Sequence, residues 1–330
     1  MMNFPKISIV TPCLNSAKYI ESAIISITSQ QYPNLEYIVI DGGSTDGTID
    51  IIRKYAHMIT YWESEPDGGQ YDALQRGFDK SSGEIMAWLN ADDMLHYGSL
   101  FAVAEIFSNI PDVRWIMGQP TVFNQYGSCV QIVALNDGIW HRLRILEDQE
   151  QFIQQESTFW RRDLWEQAGA YVDTSQKLAG DFELWARFFR YANLHTVTAI
   201  LGGFRFSSAE QRSVCQYSEY LKEVSIVRER ELQRMPTFMK CFTRLRNKLA
   251  VWTRPYAMKE TLLLRNLYYA VYGPAPDTIS FDFATWNYRL VTDRFSREEQ
   301  GKVARSTLMN KAETTATPNK GLQRTDSKLL

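Results

Sequence analysis

The sequence predicts an α/β protein with a mostly parallel sheet flanked by helices, followed by a C-terminal helical extension. Short β-branched segments alternate with longer helical patterns over the first hundred residues, as in successive right-handed crossover units. Polar residues follow three of these apolar segments, and ligands of such sheets bind at the carboxyl ends of the strands. The charge also changes sign along the chain, which separates an acidic N-terminal part from a basic segment.

The individual elements follow from the hydrophobic pattern. Strands are predicted at 7–14, 35–40, within 85–93, at 115–123, 129–135 and 194–206. Helices are predicted at 19–30, 48–59, 99–107, 181–192 and 218–235. From 237 to about 294 the chain is basic and aromatic, with further helical patterns at 238–252 and 260–272. Beyond 296 it has almost no large apolar residues, which predicts a disordered tail.

Composition indicates a folded protein, because 45% of the 330 residues are hydrophobic and 22% are charged. The four cysteines are scattered, which favours reduced thiols over a disulfide framework or a zinc site. The N-terminus enters a strand-like segment almost at once, so we expect no signal peptide and a cytoplasmic protein. We expect no apolar segment long enough to span a membrane.

The charge is unevenly distributed, although the net charge is only −2. Residues 1–233 contain 19 Lys and Arg against 30 Asp and Glu, which is −11. Residues 234–265 contain eight basic residues against Glu260 alone, which is +7. Basic segments with interleaved aromatics are attracted to anionic lipid, so one hypothesis is that 234–265 binds a membrane surface. The alternative is an ordinary basic cap over the acidic N-terminal part.

The turn "DGGSTDGT" begins with Asp41, at the end of the second predicted strand. It lacks the glycine spacing of a dinucleotide fingerprint and the Gly-Lys-Ser/Thr ending of a P-loop. It also lacks the glutamate that closes an EF-hand, since Ile52 stands there. What remains is a carboxylate that can accept from a base N–H or a ribose hydroxyl, beside glycines such as Gly43. Thr11 and Asn15 follow the first strand and would lie near it, and ordinary turn chemistry is the alternative for each such turn.

The segment "WLNADD" ends a strand with adjacent carboxylates, Asp92 and Asp93. Mg²⁺ and Mn²⁺ take oxygen ligands and often bind one or two carboxylates together with substrate phosphates. The pair is therefore a candidate metal site, and a helix N-cap is the alternative.

The segment "AGDFELW" places Asp181 and Glu183 at the start of a helix with aromatic residues on one face. A carboxylate there can accept a proton from an attacking hydroxyl, as a general base does. Acids that match the helix dipole are the alternative. Trp160 and Trp185 are the two tryptophans considered near an acceptor, while the histidines show no metal-binding spacing.

Several ordered motifs resemble the inverting nucleotide-sugar glycosyltransferases of family 2, which have the GT-A fold. They are "ISIVTPCLNSAKYIESAIISITSQQYPNLEYIVIDGGSTDGT", "SEPDGGQYDALQRG", "GEIMAWLNADD" and "GDFELWARF", and the likeness runs over about 7–213. The resemblance implies that Asp181 is the catalytic base and that Asp92, with Asp93, holds a divalent metal, Mn²⁺ or Mg²⁺. It implies a nucleotide-sugar site at Thr11, Pro12, Asn15, Asp41, Gly43, Asp67, Gly69, Asn90 and Asp92, and acceptor contacts at Glu156, Trp160 and Trp185.

Some positions depart from the family pattern. Asn90 stands where the first Asp of the DXD-type motif is common, and Gly180 replaces the Glu before the catalytic Asp. The segment "FRFSSAEQRS" lacks the histidine that many relatives have there, and Gln75 and Arg76 replace a frequent Asn-Lys pair. Since Asp92 and Asp181 are both retained, activity is still expected.

The resemblance implies a catalytic domain at 1–233, with a nucleotide-sugar half at about 1–95 and an acceptor half at about 96–233. The extension would be 234–295 and the tail 296–330. The expected reaction transfers a sugar with inversion from a nucleotide-sugar, with UDP favoured, to a glycan or lipid-linked hydroxyl in cell-surface polysaccharide synthesis. No nucleic-acid partner is expected. The alternatives are a non-catalytic nucleotide-sugar-binding or scaffold protein and, less favoured, a sugar-1-phosphate nucleotidylyltransferase.

Overall fold

The protein was analysed as a computed structural model that describes residues 4–133, 153–207, 215–235, 237 and 277–291. Its central sheet has seven strands in the order β10-β6-β9-β4-β1-β2-β3. β9 runs antiparallel to both of its neighbours, and the other pairs are parallel. The strands are β1 (Ile7–Cys13), β2 (Leu35–Asp41), β3 (Tyr61–Ser64), β4 (Ile85–Trp88), β6 (Trp115–Met117), β9 (Thr158–Arg161) and β10 (His195–Thr196).

The five helices predicted within the described residues are present, together with two that were not predicted, at Gln70–Lys80 and Arg162–Gln167, and they pack around this sheet. Every residue of β1 and β4 is buried, as expected for parallel strands covered on both faces. The third helix lies directly on β1 and β2. The helices are α1 (Ile20–Thr28), α2 (Thr48–Lys54), α3 (Gln70–Lys80), α4 (Ser99–Asn109), α5 (Arg162–Gln167), α6 (Gly180–Phe188) and α7 (Tyr217–Gln233).

The predicted meeting of three strand ends is confirmed. β1 lies between β2 and β4, with Val10 opposite both Ile38 and Trp88, and all three strands run in the same direction. The chain segments that follow them therefore lie side by side at one edge of the sheet.

A second sheet of four strands, in the order β5-β11-β7-β8, covers part of this edge. The segment 194–206, predicted as one strand, divides between the two sheets as β10 and β11. Gly202 lies so close to Glu156 that a Cβ atom there would be 2.0 Å from the Glu156 carbonyl oxygen. Its strands are β5 (Met94–Leu95), β7 (Thr121–Phe123), β8 (Cys129–Ile132) and β11 (Gly202–Arg205).

The prediction of a helical extension is wrong for its described part. Residues 277–291 form a hairpin of β12 (Thr278–Asp282) and β13 (Asn287–Val291), not a helix. Ile279 forms a parallel bridge with Val197, and the Tyr288 N–H donates to Glu105 at 3.3 Å. Alternation of apolar and polar residues in "TISFD" and "NYRLV" favours strands, although both lie within a segment of basic and aromatic composition.

The helical patterns at 238–252 and 260–272 and the tail 296–330 lie outside the described residues, so the domain boundaries stay a prediction. Within the described ranges, no helix is long and apolar enough to cross a membrane.

Candidate active site

A cavity of about 1040 Å³ lies where the three strand ends meet. The predicted site residues that line it are Pro12, Asn15, Asp67, Gly69, Asn90, Asp92, Asp93, Glu156 and Asp181. An apolar part of the wall is formed by Met117, Pro120, Val122, Val133 and Phe204. The fold thus brings together residues that are separated by up to 169 positions in the sequence, from Pro12 to Asp181.

Thr11 and Asp41 lie behind this wall. Thr11 is fully buried inside β1, and its hydroxyl accepts a hydrogen bond from the Tyr37 hydroxyl at 3.1 Å. Asp41 is also fully buried, and its Oδ2 accepts from the Gly43 N–H at 3.1 Å and the Ser44 N–H at 2.9 Å. Ser64 Oγ donates to the same oxygen at 2.7 Å.

These bonds give Asp41 a structural role. Burial alone would raise the pKa of Asp41, but the hydrogen bonds from Ser44 and Ser64 outweigh burial and the pKa is lowered. Gly43 has a φ of +86°, a left-handed conformation that glycine adopts without strain. The Asp41 carboxylate therefore holds the loop that follows β2, and its predicted contact with the nucleoside stays a prediction.

That loop is tied to Asn15 and lies beside Asp67. Asn15 Oδ1 accepts from the Thr45 N–H at 2.9 Å, and the Asn15 N–H donates to Ser44 Oγ at 2.7 Å. Asp67 Oδ1 accepts from the Gly69 N–H at 2.8 Å, and a Cβ at Gly42 would be 2.8 Å from Asp67 Oδ2. Asp67 is therefore the carboxylate beside this loop that lines the cavity.

Asp92 and Asp93 are adjacent but have different surroundings. Asp93 is 1% exposed; its Oδ1 accepts from the Arg205 N–H at 2.8 Å and its Oδ2 from Asn90 Nδ2 at 3.1 Å. Asp92 is half-buried and lines the cavity, and its backbone oxygen accepts from Arg205 Nε at 2.5 Å. Arg205, from β11, thus holds both residues in place.

The surroundings of Asp92 and Asp93 differ in how well they suit a metal ion. Among the described residues no cluster of three or more His, Cys, Asp or Glu side chains is present. Asp92 suits a Mg²⁺ or Mn²⁺ ion that takes its other ligands from a diphosphate and water. Asp93 also lines the cavity, and each of its oxygens accepts one hydrogen bond from a protein N–H group, so its role as a second ligand stays a prediction.

Asp93 faces Glu156, a second buried carboxyl group in the short 3-10 helix Gln155–Ser157. Burial raises the pKa of Asp93 well above its ordinary value, and the neighbouring Glu156 and Asp92 charges add to the effect. The pKa of Glu156 is also raised, chiefly by burial. The two carboxyls therefore favour sharing a proton over being ionised together.

Asp181 lies in the first turn of α6, and its Oδ1 accepts from the Phe182 N–H at 2.7 Å. Burial raises the pKa of Asp181 to about 6, and the Glu223 charge contributes. A Cβ at Gly180 would be 2.6 Å from the ring of Tyr71, whose hydroxyl donates to the Leu178 carbonyl at 2.7 Å. Gly180, a departure from the family pattern, is thus explained by a close contact that glutamate could not make.

A clamp that the sequence did not reveal holds this turn. Glu223, on α7, accepts from the backbone N–H groups of Leu178 and Ala179 at 2.9 Å each. Arg230, also on α7, pairs at 2.5 Å with Glu183, which is 1% exposed. Glu183 is therefore structural, and α7 fixes the orientation of the helix that carries Asp181.

The expectation for Trp160 and Trp185 is wrong. They are 0% and 1% exposed, and Trp185 stacks on Trp88 with ring centroids 5.5 Å apart, so both belong to the aromatic core. Tyr217 and Tyr220 of α7 line the cavity instead, with rings stacked 6.1 Å apart, and Tyr220 lies near Asp181. The spacing "YSEY" at a helix start was the available signal.

The mostly parallel sheet, with a cavity at its strand ends, has the GT-A type of fold. Residues 8–161 match the family model described as "Glycosyl transferase family 2".

Curated relatives carry similar names. An uncharacterized glycosyltransferase of Mycobacterium tuberculosis is 35% identical over 94 residues, 28% of this chain and 36% of the relative. An uncharacterized glycosyltransferase of Rickettsia conorii is 28% identical over 216 residues, 62% of this chain and 34% of the relative. A PGL/p-HBAD biosynthesis glycosyltransferase of Mycobacterium bovis is 35% identical over 109 residues, 32% of this chain and 43% of the relative. The chain thus spans about a third of the length of the first two relatives.

Among solved structures, S. aureus TarS 1–349 in complex with UDP-GlcNAc has a similar fold. The TM-score is 0.58 at 16% identity, over 80% of this chain and 79% of TarS 1–349. The complex of the same protein with UDP gives a TM-score of 0.56 at 17% identity, over 80% and 78%.

Proposed function

We propose that this glycosyltransferase moves a sugar from a nucleotide-sugar to an acceptor hydroxyl with inversion at the anomeric carbon. The observation that supports this most is that Asp92 and Asp181 line the same cavity. Asp92 lies beside the strand-end loops, and Asp181 lies on α6 with a pKa of about 6. A general base is most effective when its pKa is near the working pH, so Asp181 suits that role.

The reaction would be a single displacement. Asp181 takes the proton from the acceptor hydroxyl, whose oxygen forms a bond to the anomeric carbon. The bond from that carbon to the diphosphate oxygen breaks, and the nucleoside diphosphate leaves with the electron pair. A divalent metal at Asp92 would neutralise the diphosphate charge.

The donor side would be formed by Pro12, Asn15, Asp67, Gly69 and Asn90, with Asp41 and Gly43 shaping the loop behind them. Gln70 Nε2 donates to Asn90 Oδ1 at 2.8 Å, so the amide is oriented before the donor binds. TarS, whose fold is similar, is solved with UDP-GlcNAc, and UDP-sugars are therefore the first donors to test.

The acceptor would enter past Tyr217 and Tyr220. Aromatic faces pack against the apolar faces of sugar rings, and Tyr217 is 52% exposed at the cavity wall. Glycan and lipid-linked hydroxyls both remain candidate acceptors, and a relative named for PGL/p-HBAD biosynthesis supports a biosynthetic role.

We also propose a cytoplasmic protein whose segment 234–265 binds the inner face of the membrane. The support is its +7 charge, since each basic residue near an anionic surface adds about 1 kcal/mol; most of the segment lies outside the described residues. Flotation with anionic liposomes at low salt tests this, and protein that stays at the bottom of the gradient contradicts it.

Two departures from the family pattern, Gly180 and the missing histidine, would support the alternative of a non-catalytic binding protein if they marked a decayed site. The close contact with Tyr71 accounts for Gly180, and Asp181 lines the cavity. The missing histidine falls in 204–213, of which 208–213 lies outside the described residues.

Binding and hydrolysis of UDP-, GDP- and dTDP-sugars with Mn²⁺, Mg²⁺ or EDTA test the proposal. We expect metal-dependent turnover of one donor, loss of binding in Asp92→Ala, and loss of turnover alone in Asp181→Asn. Turnover that persists in EDTA would contradict the metal role. Binding without turnover, unchanged in Asp181→Asn with candidate acceptors present, would favour the non-catalytic alternative.

A further inference from the structure

Glu156 is a buried carboxyl with one oxygen, Oε2, that has no hydrogen-bond partner among the described residues. It lines the cavity and is 5% exposed. The neighbour that can share a proton with it is Asp93, another acid. Buried polar groups are normally hydrogen-bonded, so such an atom calls for an explanation.

Glu36 shows how this protein satisfies a glutamate that is equally buried, at 5% exposure. Its Oε2 accepts from Ser8 Oγ at 2.5 Å and from the Ser82 N–H at 2.6 Å. Its Oε1 accepts from Ser82 Oγ at 2.8 Å and pairs with Lys6 at 2.5 Å. A glutamate in this protein can therefore be equally buried and have hydrogen-bond partners for both of its oxygens.

The turn that carries Glu156 does not depend on the Glu156 carboxyl. Gln154 forms two hydrogen bonds with the backbone of Thr121, at 3.0 and 2.8 Å. Gln155 Nε2 donates to the Trp88 carbonyl at 2.5 Å, and Gly202 packs against the Glu156 carbonyl. The backbone is thus fixed by its neighbours, and the carboxyl is presented in a defined place.

That place lies in the cavity of the proposed reaction. Glu156, Asp92 and Asp181 all line the same cavity, so the Glu156 carboxyl shares this space with the proposed diphosphate side and the proposed base. In an in-line displacement the anomeric carbon lies between the leaving and the attacking oxygen. A sugar held in this cavity between Asp92 and Asp181 would therefore share the space that the Glu156 carboxyl lines.

We propose that Glu156 accepts a hydrogen bond from a hydroxyl or amide N–H group of the transferred sugar and so selects the donor sugar. This role rests on the proposed function and adds the residue that distinguishes one sugar from another. A site that hydrogen-bonds a sugar group disfavours a donor that lacks it, because the buried polar atom is then left without a partner.

The test compares Glu156→Gln with the matched control Glu36→Gln. The probes are UDP, UDP-GlcNAc, UDP-glucose and UDP-galactose, with GDP- and dTDP-sugars if no UDP-sugar binds the wild type. Calorimetry gives the Kd of nucleotide and of each nucleotide-sugar, and thermal melting reports folding. A second variant, Glu156→Ala, covers the case in which glutamine still bonds the sugar.

For Glu156→Gln we expect unchanged affinity for the free nucleotide, a loss of about tenfold or more in the preference among sugars, and an equal or higher Tm. For Glu36→Gln we expect a lower Tm and an unchanged preference. A lower Tm with wild-type preference in both Glu156 variants would make Glu156 structural and overturn this role alone. If the wild type bound no nucleotide-sugar at all, the proposed function would fail and this role with it.

Discussion

Asp41 and Asp181 both lie in motifs that predicted a site, but the structure surrounds them differently. Asp41 is fully buried and accepts from Gly43, Ser44 and Ser64, which lowers its pKa. Asp181 accepts from the Phe182 N–H, and burial raises its pKa to about 6. Hydrogen-bond donors stabilise the ionised form of Asp41. Asp181 has fewer donors, so its carboxylate takes up a proton at a higher pH. The hydrogen-bond donors around a carboxylate, more than its motif, indicate its role.

The largest expected difference between the two aspartates is in kcat. Asp181→Asn removes the base without changing the size of the side chain, so we expect kcat to fall by about 10² to 10⁴-fold with donor affinity retained. Steady-state kinetics and calorimetry measure the two quantities. A variant that keeps more than half of the wild-type kcat would remove Asp181 from the reaction.

Asp41→Asn should act on stability more than on chemistry. In the wild type, the Asp41 carboxylate accepts hydrogen bonds from several donors. The NH₂ group of an asparagine cannot accept these bonds, so we expect a loss of about 1 to 3 kcal/mol in the free energy of unfolding. Donor affinity should weaken with the loop, while kcat at saturating donor is maintained. Urea denaturation measures the first effect, and a fully stable variant would contradict the loop-holding role.

The pH dependence of kcat should follow Asp181. Since the pKa of Asp181 is about 6, the ionised base is present above that pH and is lost as the pH falls through it. We expect kcat to fall about tenfold for each pH unit below 6. The lowered pKa of Asp41 keeps its loop intact over this range. An acid limb centred near pH 4 would indicate a different base.

The smallest effect concerns the acceptor platform, Tyr217 and Tyr220. Tyr217→Ala removes one stacked ring, which is worth about 0.5 to 1.5 kcal/mol. We expect a rise of about two- to tenfold in the acceptor KM, with donor hydrolysis unchanged. The control is Tyr191, which lies outside the cavity wall. It is 42% exposed, compared with 52% for Tyr217. Equal acceptor KM values in Tyr217→Ala and Tyr191→Ala would contradict the platform.

The donor half could be predicted because its signals are local. β1, β2 and β4 each consist of a short apolar segment followed by polar residues, and parallel strands place those residues together. The sequence could not show that Asp41 lies behind the wall and Asp67 at it, because that depends on how the loop folds back through Ser44 and Asn15.

The acceptor half was less predictable because distant contacts build it. Glu223 caps a turn 44 residues before it in the sequence, and no local pattern announces such a contact. Trp160 and Trp185 carry the same sequence signal as a sugar platform but pack into the core. β9 lies antiparallel within a parallel sheet, an arrangement that alternation of strands and helices does not predict.

A ¹³C NMR titration of the aspartate carboxylates compares the two residues most directly, with Asp41→Asn and Asp181→Asn used for assignment. We expect Asp181 to titrate near pH 6. Asp41 should stay ionised at pH values below 3.8, the ordinary pKa of an aspartate. If Asp181 titrated at or below 3.8 and Asp41 near 6, the roles assigned to the two carboxylates would be contradicted.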